Sequence, residues 1–326
     1  MRLSVVGGGA WGTALAAHAA RAGLPVRLWI REPEVAAAVN DRHENPAYLP
    51  GVELPAALRA TTELGEALAD AETVLVVIPS EFCREIYRQA GRLAPAGAVF
   101  VSATKGLETD TLQRMTEVAA SEAPGHPLAV LSGPSFAVEV AKALPTAVVV
   151  ASEEHAVAER VQRALATRSF RIYSSEDVVG VELAGAVKNV IAIAAGIVDG
   201  LGYGHNTEAA LITRGLAEIS RLAVGLGGRP DTLAGLAGLG DLVLTCTGAL
   251  SRNRTVGQRL GRGQPLREAC SGIHPEGVRT TLAACALSER ERIEMPIARQ
   301  MKAVLYEGKP PREALEELML RGLKRE

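Results

Sequence analysis

The stretch Leu3-Ser4-Val5-Val6-Gly7-Gly8-Gly9-Ala10-Trp11-Gly12 decides the fold, together with the Thr13-Ala14-Leu15-Ala16 that follows. A short β-branched run ends in glycines, and an alanine-rich helical pattern begins at once. This is G-x-G-x-x-G in the strand–turn–helix setting that gives the motif its meaning. Gly7 permits a tight turn, Gly9 lets backbone approach a pyrophosphate, and Gly12 lets helix and strand pack closely. Unpaired N–H groups at the start of the helix, around Ala10 and Trp11, form an anion site. The competing reading is a glycine-rich turn that binds nothing. The motif's place at residue 7, inside a βαβ unit, argues against it.

Downstream, continuous apolar runs recur at Val26–Ile30, Thr73–Ile78, Ala98–Ser102, Leu128–Leu131, Ala147–Val150 and Phe170–Tyr173. Strands covered on both faces read this way. Helical patterns lie between most of them, at 12–21, 82–93, 109–121 and 155–167. The alternation predicts an α/β Rossmann-type domain, doubly wound around a mostly parallel sheet. After about Ser175 strand-like runs nearly stop. Long helical patterns at 176–198 and 207–226 take over, with shorter ones at 252–260, 277–288, 296–306 and 312–320. The expected division is a dinucleotide-binding domain over 1–178 and an all-helical substrate-binding domain over 179–326. A ligand cleft is expected between them, facing the carboxyl ends of the strands.

Composition narrows the function. The chain has 326 residues, 48% of them hydrophobic, and a formal net charge of −2. A near-neutral balance with dispersed Lys and Arg gives no reason to expect nucleic acid as a partner. The four cysteines, Cys83, Cys246, Cys270 and Cys285, form no CxxC pair, and the six histidines lack metal-ligand spacing, so no metal site is expected. The N-terminus lacks the length and cleavage site of a signal peptide, which points to the cytoplasm. The longest apolar stretch, Val178 to Val198, is broken by Glu182, Lys188 and Asn189. It reads as a buried core helix, so no membrane span is expected.

Cofactor choice is read after the second strand, where Asp or Glu favours NAD and Arg favours NADP. The strand ends Trp29-Ile30-Arg31-Glu32. Arg31 is placed to pair with a 2′-phosphate, which favours NADPH, and Glu32 beside it keeps NAD open. A solvated strand-end charge is the other reading of Arg31.

The chemistry is concentrated in Gly185-Ala186-Val187-Lys188-Asn189-Val190-Ile191. One lysine and one asparagine interrupt a helix that is apolar nearly all round, hence buried. Desolvation lowers the pKa of a buried ammonium toward neutrality, which suits a general acid/base. Alternatively, the lysine snorkels from a helix flank to water. Asn189, about 100° further round the helix, is placed to anchor a second group. In Gly238-Leu239-Gly240-Asp241-Leu242-Val243-Leu244-Thr245, Asp241 either orients Lys188 or caps a helix beginning near Leu242, and the two roles are compatible. Ser251-Arg252-Asn253-Arg254 opens another helix, and a helix N-terminus with a forked guanidinium suits a phosphate. An exposed basic helix start is the plainer reading. In the first half, Lys105-Gly106 and Ser132-Gly133-Pro134-Ser135 follow predicted strands, where open α/β sheets bind ligands. Lys105 is either a fixed charge on substrate or a solvent-facing loop lysine.

Together these segments resemble the bacterial-type NAD(P)-dependent sn-glycerol-3-phosphate dehydrogenase family over almost the whole chain. The most specific stretches are GGGAWGTALA at 7–16, ATKGLE at 103–108, SGPSFA at 132–137, GAVKNVIAIAAGIVDG at 185–200, ALITRGLAEISRL at 210–222 and GLGDLVLTCTGALSRNR at 238–254. The resemblance implies interconversion of dihydroxyacetone phosphate and sn-glycerol 3-phosphate, supplying glycerophospholipid synthesis. It implies Lys188 as proton donor/acceptor, with Asp241 and Thr245 as polar support. It implies Lys105, Gly133 and Ser135 on substrate, and Ser251, Arg252 and Asn253 on its phosphate. Trp11, Arg31 and Ala137 are implied cofactor contacts, with Lys105 and Arg252 shared between substrate and cofactor. His274 and Glu276 are also implied on the cofactor, but Pro275 stands where the family has a small aliphatic residue and has no N–H to donate. A homodimer is a further expectation. Two other readings remain: a hydroxyacid or ketopantoate-type reductase, which has no need of Ser251-Arg252-Asn253, and a non-catalytic dinucleotide sensor, which has no need of Lys188.

Overall fold

The computed structural model describes residues 1–322. They fall into two compact units, one of Met1–Lys105 with Gln113–Val181, the other of Gly106–Leu112 with the chain from Glu182 onward.

The first unit is an eight-stranded sheet. Its strands are β1 (Leu3–Val6), β2 (Val26–Trp29), β3 (Arg59–Thr61), β4 (Thr73–Val76), β5 (Val99–Ser102), β6 (Leu128–Ser132), β7 (Thr146–Ala151) and β8 (Phe170–Ser175). The spatial order is β3-β2-β1-β4-β5-β6-β7-β8. Every pairing is parallel except β6 with β7, which is antiparallel. Alternation along the strands builds two cores. Val5, Leu75 and Val101 pack on one face with Leu15 and Ala19, whereas Val6, Val74, Val76 and Phe100 pack on the other with Tyr87 and Met115. The predicted parallel, doubly wound sheet is therefore present, and strand order reverses at β1, flanked by β2 and β4. Ligands of open α/β sheets bind at such a switch point.

Two local expectations fail. The helix expected over 109–121 is Met115–Glu122. Leu112 adopts a left-handed φ of 63°, which interrupts any helix before it. β3 carries no apolar run, because this edge strand is exposed or half-buried throughout.

The second unit is helical. Its axis is Val178–Gly200, which begins in the first unit's last residues. By length and composition this helix is apolar enough to cross a membrane, but its apolar window is wholly buried inside the protein. His205–Gly225, Asp241–Thr247, Arg252–Gly261, Glu276–Arg290, Pro296–Tyr306 and Pro311–Met319 follow. Gly196 and Gly200 on the axial helix meet Gly257 and Gly261 on Arg252–Gly261. A Cβ on Gly196 would stand 2.0 Å from the Arg254 carbonyl oxygen, and one on Gly257 2.0 Å from that of Ile193. The two backbones touch because neither carries a side chain there.

Candidate active site

In the first unit the site is made largely of backbone. Gly7 has φ 127°, and a Cβ on it would stand 2.2 Å from the Val77 carbonyl oxygen. A Cβ on Gly12 would stand 1.9 Å from the Gly7 oxygen, so helix Ala10–Arg21 starts hard against the turn. Gly9, the residue preceding the helix, has nothing within 4 Å of where its Cβ would be. The open side lies at the helix N-terminus, where the N–H groups of Ala10, Trp11 and Gly12 have no intrahelical acceptor. The Trp11 indole Nε1 is buried with no hydrogen-bond partner. An open glycine face, a helix N-terminus and an orphaned donor fit a dinucleotide pyrophosphate.

The other sheet residues singled out stand beyond carboxyl ends of parallel strands. Arg31, after β2, is exposed and pairs at 2.8 Å with Glu32, whose Oε1 also accepts from the Tyr48 hydroxyl at 3.2 Å. The two side chains that argued for opposite cofactors are thus joined to each other. Lys105, after β5, donates to the Gly133 carbonyl at 2.8 Å, and Ser135 Oγ donates to the same oxygen at 2.9 Å. The structure therefore gathers Lys105, Gly133 and Ser135 into one cluster. Ala137 opens the short helix Ala137–Ala141, which packs on helix Ala10–Arg21.

In the second unit the site is made of side chains. Lys188 is 5% exposed. Its Nζ donates to Asp241 Oδ1 and, at 2.7 Å, to Thr245 Oγ1. Thr245 donates to the Asp241 main-chain oxygen at 2.6 Å. Both partners come from helix Asp241–Thr247, reached through a π-helical turn, Leu236–Gly240. Lys188 does not snorkel. Asp241 is the first residue of its helix, and its carboxylate accepts from Lys188. A buried charge is tolerable only when paired and hydrogen-bonded, and Lys188 meets that condition. Burial pushes the Cys246 thiol next door up to about 12, although the Lys188 charge works the other way.

One residue on from Lys188, Asn189 Oδ1 accepts from Asn253 Nδ2 at 2.9 Å, and Asn253 Oδ1 accepts from the Gly277 N–H at 3.0 Å. Three helices are fastened at this point. Ser251 caps the second of them, accepting from the Arg254 N–H at 3.2 Å, and leaves Arg252 exposed at its first turn. Pro275 precedes the third helix, and the N–H it lacks would have had no intrahelical partner. His274 is exposed and Glu276 half-buried at that helix start.

Sequence reasoning singled out Asn189 and Asn253 but not their contact. It passed over the glycine seam, whose signal is a four-residue glycine spacing on each helix.

A glycine turn on a doubly wound, mostly parallel sheet in one unit and a buried lysine–aspartate pair in a second, helical unit define a two-domain Rossmann-type dehydrogenase. Residues 2–158 match the model of the NAD-dependent glycerol-3-phosphate dehydrogenase N-terminus, and 177–316 that of its C-terminus. The chain belongs to this family. It is 52% identical, over the full length of both chains, to the glycerol-3-phosphate dehydrogenase [NAD(P)+] of Nitratidesulfovibrio vulgaris (strain DP4). It is 51% identical to that of Geobacter sp. (strain M21), covering 100% of this chain and 98% of the relative. The crystal structure of glycerol-3-phosphate dehydrogenase from Coxiella burnetii superposes with a TM-score of 0.94 at 42% identity, covering 98% of this chain and 99% of that one.

Proposed function

We infer that the chain interconverts dihydroxyacetone phosphate and sn-glycerol 3-phosphate with NAD(P)H, and that Lys188 is the proton donor. The observation that carries the second part is the burial of the Lys188 ammonium on Asp241 and Thr245. NADPH, when bound, supplies hydride to the ketone carbon. Lys188 then gives its proton to the oxygen on which negative charge develops. A charge held in place before reaction favours the alkoxide-like transition state over the neutral ketone. Asp241 orients the Lys188 side chain, and Thr245 fixes the geometry of both.

Ser251, Arg252 and Asn253 hold the substrate phosphate, with the first-turn N–H groups of their helix assisting. Asn189 orients Asn253, and binding energy at the phosphate positions the reacting carbon. Lys105, Gly133 and Ser135 contact substrate from the sheet unit. Gly7, Gly9, Ala10, Trp11 and Gly12 hold the dinucleotide, joined by Arg31, Lys105, Ala137, Arg252, His274 and Glu276. On this reading 1–178 bind the dinucleotide and 179–326 the substrate. Arg31 favours NADPH over NADH, and the protein works in the cytoplasm as a homodimer supplying glycerol phosphate for phospholipids.

The test is loss of NADPH absorbance on adding dihydroxyacetone phosphate to the purified chain. Turnover of non-phosphorylated keto acids in its place, or cofactor binding with no turnover, would overturn the reading.

A further inference from the structure

Beneath the glycine turn lies a fully buried polar network. Asn45 and Thr13 are both 0% exposed. Asn45 Nδ2 donates to the Gly8 carbonyl at 2.9 Å and to Thr13 Oγ1 at 2.8 Å. Thr13 Oγ1 donates to the same Gly8 oxygen at 3.1 Å. Asn45 Oδ1 accepts from the Tyr48 N–H at 3.0 Å. Each amide hydrogen of Asn45 has an acceptor and its oxygen has a donor, the condition under which a primary amide is buried without penalty. Two buried hydroxyl and amide donors therefore converge on one backbone oxygen, that of Gly8.

We propose that Asn45 is the positioning residue of the pyrophosphate cradle: by holding the Gly8 carbonyl inward, it aims the Gly9 N–H outward at the anion. The inference rests on the reading that a dinucleotide binds at this turn. A trans peptide is planar, so its C=O and N–H point in opposite directions. Fixing the Gly8 oxygen on Asn45 and Thr13 thus fixes the Gly9 hydrogen on the other side. Gly9 itself is half-buried, and nothing lies within 4 Å of its Cβ position, so the turn is not closed over at this residue. The 8–9 peptide joins two glycines. Its rotation changes only the ψ of one glycine and the φ of the next, and neither is restrained by a Cβ. Reversed, it would present a carbonyl oxygen to the phosphates. No Cβ at either glycine opposes the reversal, and the Asn45–Thr13 clamp does. Thr13 serves twice, because its own N–H also holds the Gly9 carbonyl at 2.9 Å.

The test compares Asn45→Asp, Thr13→Val and Thr13→Ser with the parent chain, assayed above neutral pH. Asn45→Asp keeps the shape but loses both donors to Gly8 and Thr13. It should raise the KM and Kd for NADPH and NADH roughly tenfold, the cost of one hydrogen bond to a charged group. kcat and the KM for dihydroxyacetone phosphate should stay within about twofold of the parent, a split that a generally loosened domain does not give. Thr13→Val should move the same constants in the same direction, and Thr13→Ser, which keeps the hydroxyl, should restore them. Unchanged cofactor constants in Asn45→Asp and Thr13→Val would overturn the proposal. So would a parallel loss of kcat and substrate KM, or a Thr13→Ser variant as impaired as Thr13→Val. If Asn45→Asp fails to fold, the Thr13 pair decides alone. Failure of the parent chain to bind either nucleotide would instead sink the dinucleotide reading itself, and the proposal with it.

Discussion

The glycine turn proposed to cradle the nucleotide and the lysine cluster solve opposite problems. At Gly7–Gly12 the chain removes side chains so that backbone N–H groups face outward. Around Lys188 it supplies side chains so that one charge survives in an apolar interior. Errors in the first region are steric and local, and they should appear in cofactor binding. Errors in the second leave a charge or a polar group unmatched, and they should appear in turnover or stability.

The sharpest way to break this contrast is Lys188→Ala. kcat should fall by roughly 10²–10⁴, the usual worth of a positioned acid, while NADPH affinity stays near that of the parent. Stopped turnover with intact cofactor titration would fit; retained turnover would remove Lys188 from the mechanism.

Within the helical unit two of the buried carboxylates, Asp241 and Glu218, differ in the same way. Asp241 faces an ammonium. Glu218, 2% exposed, accepts from the Ile297 and Ala298 N–H groups at 2.7 and 3.3 Å, with the Arg221 and Arg321 charges acting on it from further off. Burial outweighs those hydrogen bonds and raises the Glu218 carboxyl to about 7 from 4.5. The folded state therefore holds a proton that the unfolded state releases between those values. The stability this confers is complete below about pH 4.5 and is lost as pH rises through about 7, up to about 3 kcal/mol. Glu218→Gln should flatten the dependence of urea unfolding on pH between those limits. An unchanged slope would mean that the carboxyl titrates normally.

The glycine seam gives a smaller effect. Gly257→Ala puts a methyl against the Ile193 oxygen and should tilt helix Arg252–Gly261 away from Asn189. The KM for dihydroxyacetone phosphate should rise about tenfold, for one displaced charge-assisted contact, with NADPH affinity spared. Equal losses for both ligands would show that the seam holds up more than the phosphate site.

The smallest effect is expected at Arg31. Its side chain is 73% exposed and already paired with Glu32, so Arg31→Ala should narrow the kcat/KM ratio of NADPH to NADH by roughly threefold, as for a solvent-screened charge. A preference for NADH in the parent chain would defeat the assignment.

The same contrast explains what was readable in advance. The cradle lies within ten consecutive residues, and the apolar runs of β1, β4 and β5 state their burial directly. Lys188 and Asp241 are 53 residues apart, yet each is conspicuous as a charge in apolar surroundings, and chemistry suggested the pair. Asn45 is 37 residues from Gly8 in an ordinary polar stretch, where nothing local marks an amide turned inward. β3 escaped because Arg59-Ala60-Thr61 buries too little to show a pattern. The helix at 109–121 was overextended because composition does not register the left-handed Leu112.

The four glycines between helices Val178–Gly200 and Arg252–Gly261 have a further consequence. Where side chains fill a helix crossing, they exchange rotamers and absorb small displacements. Main chain against main chain has no such slack. The gap from Asn189 to Asn253 is thus set by the thickness of two polypeptide backbones, a gauge that substitutions elsewhere in the core cannot reset.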